Sequence, residues 1–82
     1  MILADIYFPA LGEAFDFQLE EDVPIQELIE AVLEVMEKYL KGQVKAYAQG
    51  FELCSLTHKT VLPPSRTLRE CGIPSGSRLM LL

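Results

Sequence analysis

Between Ile25 and Leu40 the apolar residues Ile25, Leu28, Ile29, Val32, Leu33, Met36, Tyr39 and Leu40 recur at spacings of three and four. That spacing lays them in one continuous stripe along a single α-helix. The remaining apolar runs are short, and most alternate with polar residues. A lone helix has no second helix on which to bury its stripe, so the covering surface has to be a sheet. Asp22 is suited to cap the free N–H groups at the start of the helix and Pro24 to occupy its first turn, with Glu20 and Glu21 adding charge at the positive end of the dipole. Gly42 is placed to end it in a left-handed residue. The outer face holds Glu27, Glu30, Glu34, Glu37 and Lys38, with Glu34–Lys38 and Glu37–Lys41 at the spacing of favourable pairs.

The strands that must cover this stripe are visible on both sides of it. In "MILADIYFP", Ile2, Ala4, Ile6 and Phe8 alternate with Leu3, Asp5 and Tyr7, and Pro9 ends the run. Gly12 in "ALGE" allows a reversal, and "AFDFQL" alternates again, with Phe15, Phe17 and Leu19 facing inward. These two runs predict a β-hairpin. After a polar connection over 43–49, "GFELCSL" and "KTVL" predict two short strands about a bend at Thr57-His58, the second broken by Pro63-Pro64. Thr67 is placed to cap one helical turn over Leu68 to Cys71, Gly72 to exit it, and Ile73 to plug the core. Ser75-Gly76 then turns the chain into a last strand over Arg78 to Leu82. One helix with about five strands predicts an α+β fold, a β-grasp in which a mixed sheet wraps a single helix and covers it with one face.

Bulk properties narrow the function. A chain of 82 residues provides for one small domain, expected over residues 1–82. No apolar run approaches the ~20 residues that cross a bilayer, and no basic segment precedes an apolar one at the start, so neither membrane insertion nor export is expected. Cys54 and Cys71 are expected as reduced, packed thiols, and with His58 they are too few for a zinc site. From Met1 to Glu37 there are ten acids and no Lys or Arg, whereas all seven bases come later, so the first part carries −10 and the remainder +5. Nucleic acid is not an expected partner of such a chain.

The order of elements resembles ubiquitin over the whole length. The closing pattern, Leu68-x-x-Cys71-Gly72-Ile73 followed by Ser75-Gly76-Ser77-x-Leu79, together with the Asp22-Val23-Pro24 entry to the helix, is more similar to the bacterial YukD/EsaB group. That resemblance implies a single stand-alone ubiquitin-like protein of the cytoplasm that accompanies type VII secretion. It also implies a partner among the cytosolic parts of a membrane secretion component. In ubiquitin and the related sulfur carriers the last strand continues into a flexible tail ending in Gly-Gly, whose carboxylate is activated. Here the sequence stops at Leu82, directly after Leu79 and Leu81, which match inward strand positions. The expectation is therefore a non-conjugating interaction module. The competing classes are a carrier protein, or a small regulatory subunit of a multicomponent enzyme.

No catalytic, cofactor or metal site is expected. Cys71 in "RECGI" has no evident base beside it and matches a packing position, Cys54 alternates with Leu56 as an inward residue, and His58 sits at an exposed bend. "PSGSR" lacks the Lys and the following helix of a phosphate loop and reads as a turn. The candidate site is the outer face of the sheet. In a β-grasp the first and last strands lie side by side with the third strand beyond the last. Leu3, Tyr7, Phe51, Leu53, Met80 and Leu82 are then expected to point outward together as a protein-binding patch, since apolar groups gathered on neighbouring strands mark an interface. A shift of one residue in the third strand turns Phe51 and Leu53 inward and shrinks the patch. The same face can pair with a copy of itself, and the expectation is a monomer that forms at most a weak homodimer.

Overall fold

The computed structural model describes residues 1–39 and 50–82. The chain runs through β1 (Ile2–Phe8), β2 (Glu13–Leu19), α1 (Ile25–Tyr39), β3 (Leu53–Ser55), β4 (Thr60–Val61) and β5 (Ser77–Leu81). The strands form one mixed sheet in the order β2-β1-β5-β3-β4. β1 and β5 run parallel at its centre, and the other pairs are antiparallel. This is the β-grasp expected from one helical stripe among short strands. Gly42, Leu40, the Glu37–Lys41 pair and the 43–49 connection lie outside the described residues.

The core is the product of three patterns meeting. Ile2, Ala4, Ile6 and Phe8 of β1 and Leu79 and Leu81 of β5 face Ile25, Leu28, Ile29, Val32, Leu33 and Met36 of α1. Ile6 and Leu79 stand opposite each other in the central parallel pair and are fully buried. Phe15 and Phe17 face inward as expected but are only half-buried, because β2 is an edge strand. Tyr39, read as part of the buried stripe, is 65% exposed and meets only the edge of the core, its ring 5.5 Å from that of Phe15.

The start of α1 is satisfied differently from expectation. The carbonyl of Pro24 accepts from the N–H groups of Glu27 and Leu28, which puts the cap at Pro24 itself and leaves Asp22 outside the helix. The free N–H groups of Ile25 and Gln26 donate to the carbonyls of Arg66 and Pro64, at 2.8 and 2.9 Å. Pro63-Pro64 therefore does more than break a strand: the Pro64 carbonyl accepts from the helix terminus, while the Pro63 carbonyl accepts from Arg66 N–H and closes the turn that presents the Arg66 carbonyl. Asp22 accepts instead from Arg69, with Nε at 2.7 Å and Nη2 at 3.2 Å, a two-pronged pair across 47 positions of sequence. Backbone N–H of Arg69 donates to the Glu21 carbonyl, fastening the same two segments a second time.

The helical turn expected after Thr67 is present and closed at both ends. Glu70 N–H donates to Thr67 Oγ1 while Thr67 N–H donates to Glu70 Oε1, a reciprocal cap. At its exit Gly72, at φ 70°, donates to the Arg69 carbonyl and Ile73 to that of Leu68, the paired bonds of a left-handed helix end. Leu68 and Ile73 are buried beneath this turn.

Two predictions concern stability. Leu68→Ala removes a fully buried anchor and is expected to cost about 2–5 kcal/mol in urea unfolding, a large share of what a chain of this size has to lose. The bond from Arg69 holds the Asp22 carboxyl below the ordinary aspartate range. A pKa depressed in the folded state stabilises fully above the ordinary value, and that stabilisation is lost as pH falls through the folded value. Asp22→Asn is thus expected to melt below wild type at neutral pH, with the gap closing at pH below about 4. A gap that stays constant with pH would assign the loss to packing instead.

Candidate protein-docking face

The outer face of the sheet is set by the pairing register. Tyr7 of β1 stands beside Met80 of β5, Met80 opposite Cys54 of β3, and Cys54 opposite Val61 of β4. Tyr7 and Val61 are exposed and Met80 is half-buried. Leu82 and Leu56, both exposed, flank this row, since Leu82 exchanges both backbone bonds with Glu52 and Leu56 donates to the Arg78 carbonyl. A shallow depression of about 310 Å³ lies at its β3–β4 end, lined by Cys54, Leu56, Lys59, Thr60, Val61 and Met80. Lys59 holds φ 55° in the bend between the two strands, and the adjoining His58 N–H donates to Ser55 Oγ.

Of the six residues expected on this face, Tyr7, Met80 and Leu82 are brought together. Leu3 points outward but stands apart, because Asp5 and Arg78, opposite each other in register, form a charged rung between it and Tyr7. Leu53 and Phe51 do not belong to the face. Leu53 is 3% exposed and lies opposite Leu81 beneath the sheet, and Phe51 is half-buried against the same core. The expected parity of β3 is thus reversed: Cys54 and Leu56 turn outward, and Ser55 turns inward. The physical reason is Glu52. Facing Leu53 out would have turned Glu52 toward the apolar core, where an unpaired carboxylate is far costlier than the buried Ser55, whose hydroxyl oxygen accepts a bond from His58. Glu52 was the one sequence signal able to fix this parity, and Cys54, Leu56 and Val61 are the face residues missed without it.

The remaining candidate positions serve the fold. Cys54 is only 8% exposed although it faces outward, and its burial, with Glu52 nearby, pushes its thiol pKa up, which favours the unreactive protonated form. Cys71 packs half-buried against the core, its N–H bonded to the Thr67 carbonyl. In the 74–78 turn, Gly76 N–H donates to the Leu3 carbonyl, Ser75 Oγ accepts from Leu3 N–H, and Ser77 Oγ donates to the Pro74 carbonyl. Among the described residues no cluster of His, Cys, Asp and Glu is arranged to hold a metal ion. No described helix is long and apolar enough to cross a membrane.

The family model of YukD, described as a protein of the WXG100 protein secretion system (Wss), matches residues 4–81. The chain belongs to the YukD family. Among solved structures, this YukD-family chain is similar to the EccD5 ubiquitin-like domain from Mycobacterium xenopi, with 27% identity and a TM-score of 0.71 over 99% of this chain and 91% of that one. The ubiquitin-like domain of the Mycobacterium tuberculosis type VII secretion system protein EccD1 is 21% identical, with a TM-score of 0.70 over 100% of this chain and 99% of that one. One chain of the MycP5-free ESX-5 inner membrane complex is 20% identical, with a TM-score of 0.77 over 99% of this chain but only 20% of its own length. The last two likenesses establish the ubiquitin-like fold. Among curated protein sequences none matches.

The register makes its own prediction. Val61→Asp and Tyr7→Asp, on the exposed face, are expected to leave the fold intact, at a cost below about 1 kcal/mol each. Leu53→Asp is expected to abolish folding by circular dichroism, because it buries a charge. A folded Leu53→Asp protein would restore the opposite parity of β3.

Proposed function

We propose that this YukD-family protein is a non-conjugating interaction module, a single ubiquitin-like domain that acts in the cytoplasm as an accessory of a type VII secretion system. It works by docking the outer face of its sheet on another protein, a cytosolic part of a membrane secretion component. The observation that carries the reading is the row Tyr7–Met80–Cys54–Val61 with Leu82 and Leu56 at its ends, an apolar group spread over four adjacent strands. A row of this kind is suited to supply the desolvated centre of an interface. Arg78 and Lys59, with the acids Asp5 and Glu52, border the face with both signs of charge, which would steer orientation and association rate more than affinity. The family match and the likeness to the EccD5 domain support the secretion link.

Group transfer through a cysteine on this face is disfavoured, because Cys54 is only 8% exposed and its burial raises its thiol pKa.

Photo-crosslinking from position 61, with the secretion membrane complex co-expressed, tests the docking. The expected result is a crosslink to a cytosolic segment of that complex, lost in Met80→Asp and retained in Asp22→Asn. Equal crosslinking by Met80→Asp would show that the sheet face is not the contact. Intact mass from the native cell tests the chemistry: a Gly-Gly extension, or a thioester or persulfide adduct, would make the protein a carrier.

A further inference from the structure

A second surface lies at the opposite edge of the sheet, away from the face described above. β2 is an edge strand of seven residues, and among the described residues no strand lies beyond it. Every second residue of such a strand turns its N–H and C=O away from the neighbouring strand, ready to pair with another. Beside this edge runs one flank of α1. Ala31, Val35 and Tyr39 recur at a spacing of four and are all exposed, Val35 at 53%. The ring of Tyr39 sits edge-on to Phe15 at 5.5 Å, and Phe15 and Phe17 meet Phe8 behind it, which sets the Tyr39 end of this row against β2. Glu30 and Glu37 fall on the other flank, whereas Glu27 begins the same row one turn before Ala31 and the paired Glu34 and Lys38 adjoin it. Among the described residues the edge thus has an unpaired backbone ladder and, on its inner side, the rings of Phe15, Phe17 and Tyr39, from which the exposed Val35 and Ala31 continue the row along α1.

The charges on the edge select what can occupy it. β2 carries Glu13 and Asp16, Glu20 follows directly, and the strand contains no Lys, Arg or Pro. A second copy pairing symmetrically about the middle of β2 would set Asp16 opposite Asp16, and like charges directly opposed destabilise a strand pair. The acids therefore disfavour self-pairing in that register while leaving the ladder open to a strand of opposite charge. We infer that β2 is a docking edge for an extended basic segment of another protein, which adds a sixth strand, lays alternate apolar side chains on the Phe15–Val35–Tyr39 lining and sets Lys or Arg against Asp16. The mode is strand addition, in which main-chain bonds give affinity and alternate side chains give specificity. It uses a different surface from the sheet face and stands or falls separately from it.

The test is amide and methyl chemical-shift mapping of the whole protein with three short synthetic peptides. One alternates valine and lysine, one alternates valine and glutamate, and one is the lysine peptide with alternate backbone nitrogens methylated. The lysine peptide is expected to shift the amides of Glu13–Leu19 and the methyls of Ala31 and Val35, and to slow amide exchange along β2. The glutamate and methylated peptides are expected to bind at least about tenfold more weakly. Asp16→Lys, an exposed change, should reverse the preference between the two charged peptides, and Val35→Glu should weaken the lysine peptide. Met80→Asp should alter neither, which separates this edge from the sheet face. Binding by none of the peptides, equal binding of both charges, or full binding of the methylated peptide would overturn the inference. So would shifts confined to the Glu30–Glu37 flank or to Tyr7, Met80 and Val61, or self-association of the wild-type chain through β2.

Discussion

The fold depends on the parallel pairing of β1 with β5, which joins the first seven-residue strand to the last five-residue one at the centre of the sheet. Ile6 and Leu79 meet there in full burial, and each remaining strand hangs on one of these two. β2 attaches only through its hairpin with β1, and β3 attaches through β5, carrying β4 with it. Because a parallel pair cannot be closed by a tight turn, the whole intervening chain has to serve as the crossover. That requirement explains why so much of residues 62–73 is spent on fastening. The carbonyls of Pro64 and Arg66 close the helix N-terminus, Arg69 holds Glu21 and Asp22, and a doubly capped turn seats Leu68 and Ile73. Each fixes the crossover against the start of α1, so that β5 enters the sheet in one register.

Where the polar residues were unambiguous, this architecture was legible in the sequence. β1 alternates cleanly, and α1 shows its stripe as far as Met36. The misreadings share a cause, which is that the deciding partner lies far away in the chain or off the pattern. The segment through β3 is apolar at Phe51, Leu53, Cys54 and Leu56, on both parities, so periodicity alone cannot orient it; only Glu52 and the partner strand decide. Asp22 has the local chemistry of a cap but finds a stronger, charge-assisted partner in Arg69. Tyr39 keeps the helical spacing, yet at the last turn of α1 it lies beside the edge strand, where nothing among the core residues covers it. Phe15 and Phe17 were correctly placed inward, and their partial exposure follows from the position of β2 in a strand order that no local pattern announces.

The outer face depends on the parity of β3 more than the fold does. Reversing β3 by one residue exchanges Phe51 and Leu53 for Cys54 and Leu56, and it brings Val61 of β4 into line with Met80. The patch moves toward the β3–β4 end, and Leu3 is cut off behind Asp5 and Arg78. Residues chosen from the sequence as one group are thereby divided into a core pair, a clustered trio and an outlier. A one-residue register error has this consequence in any strand that is apolar on both sides, because the period of two leaves no intermediate placement.

Charge completes the division of the surface. With ten acids before the first base, the early half of the chain supplies β1, β2 and the outer flank of α1, whereas the bases Lys59 and Arg78 fall beside the sheet face. The two apolar surfaces therefore differ in their surroundings: the face across β1, β5, β3 and β4 is bordered by both signs, Arg78 and Lys59 with Asp5 and Glu52, whereas the edge at β2 has only acids along its strand. Apolar contact has no preference of sign, so two such surfaces on one small chain would compete for the same partners if charge did not separate them. On the two readings proposed above, a basic extended segment is favoured at β2 by its acids, whereas the mixed charges around the sheet face select a partner by their arrangement rather than by net sign. Screening weakens this discrimination as salt rises, whereas apolar burial persists. Selectivity between the two surfaces is thus expected to be an ionic-strength-dependent property, even where affinity at each of them is not.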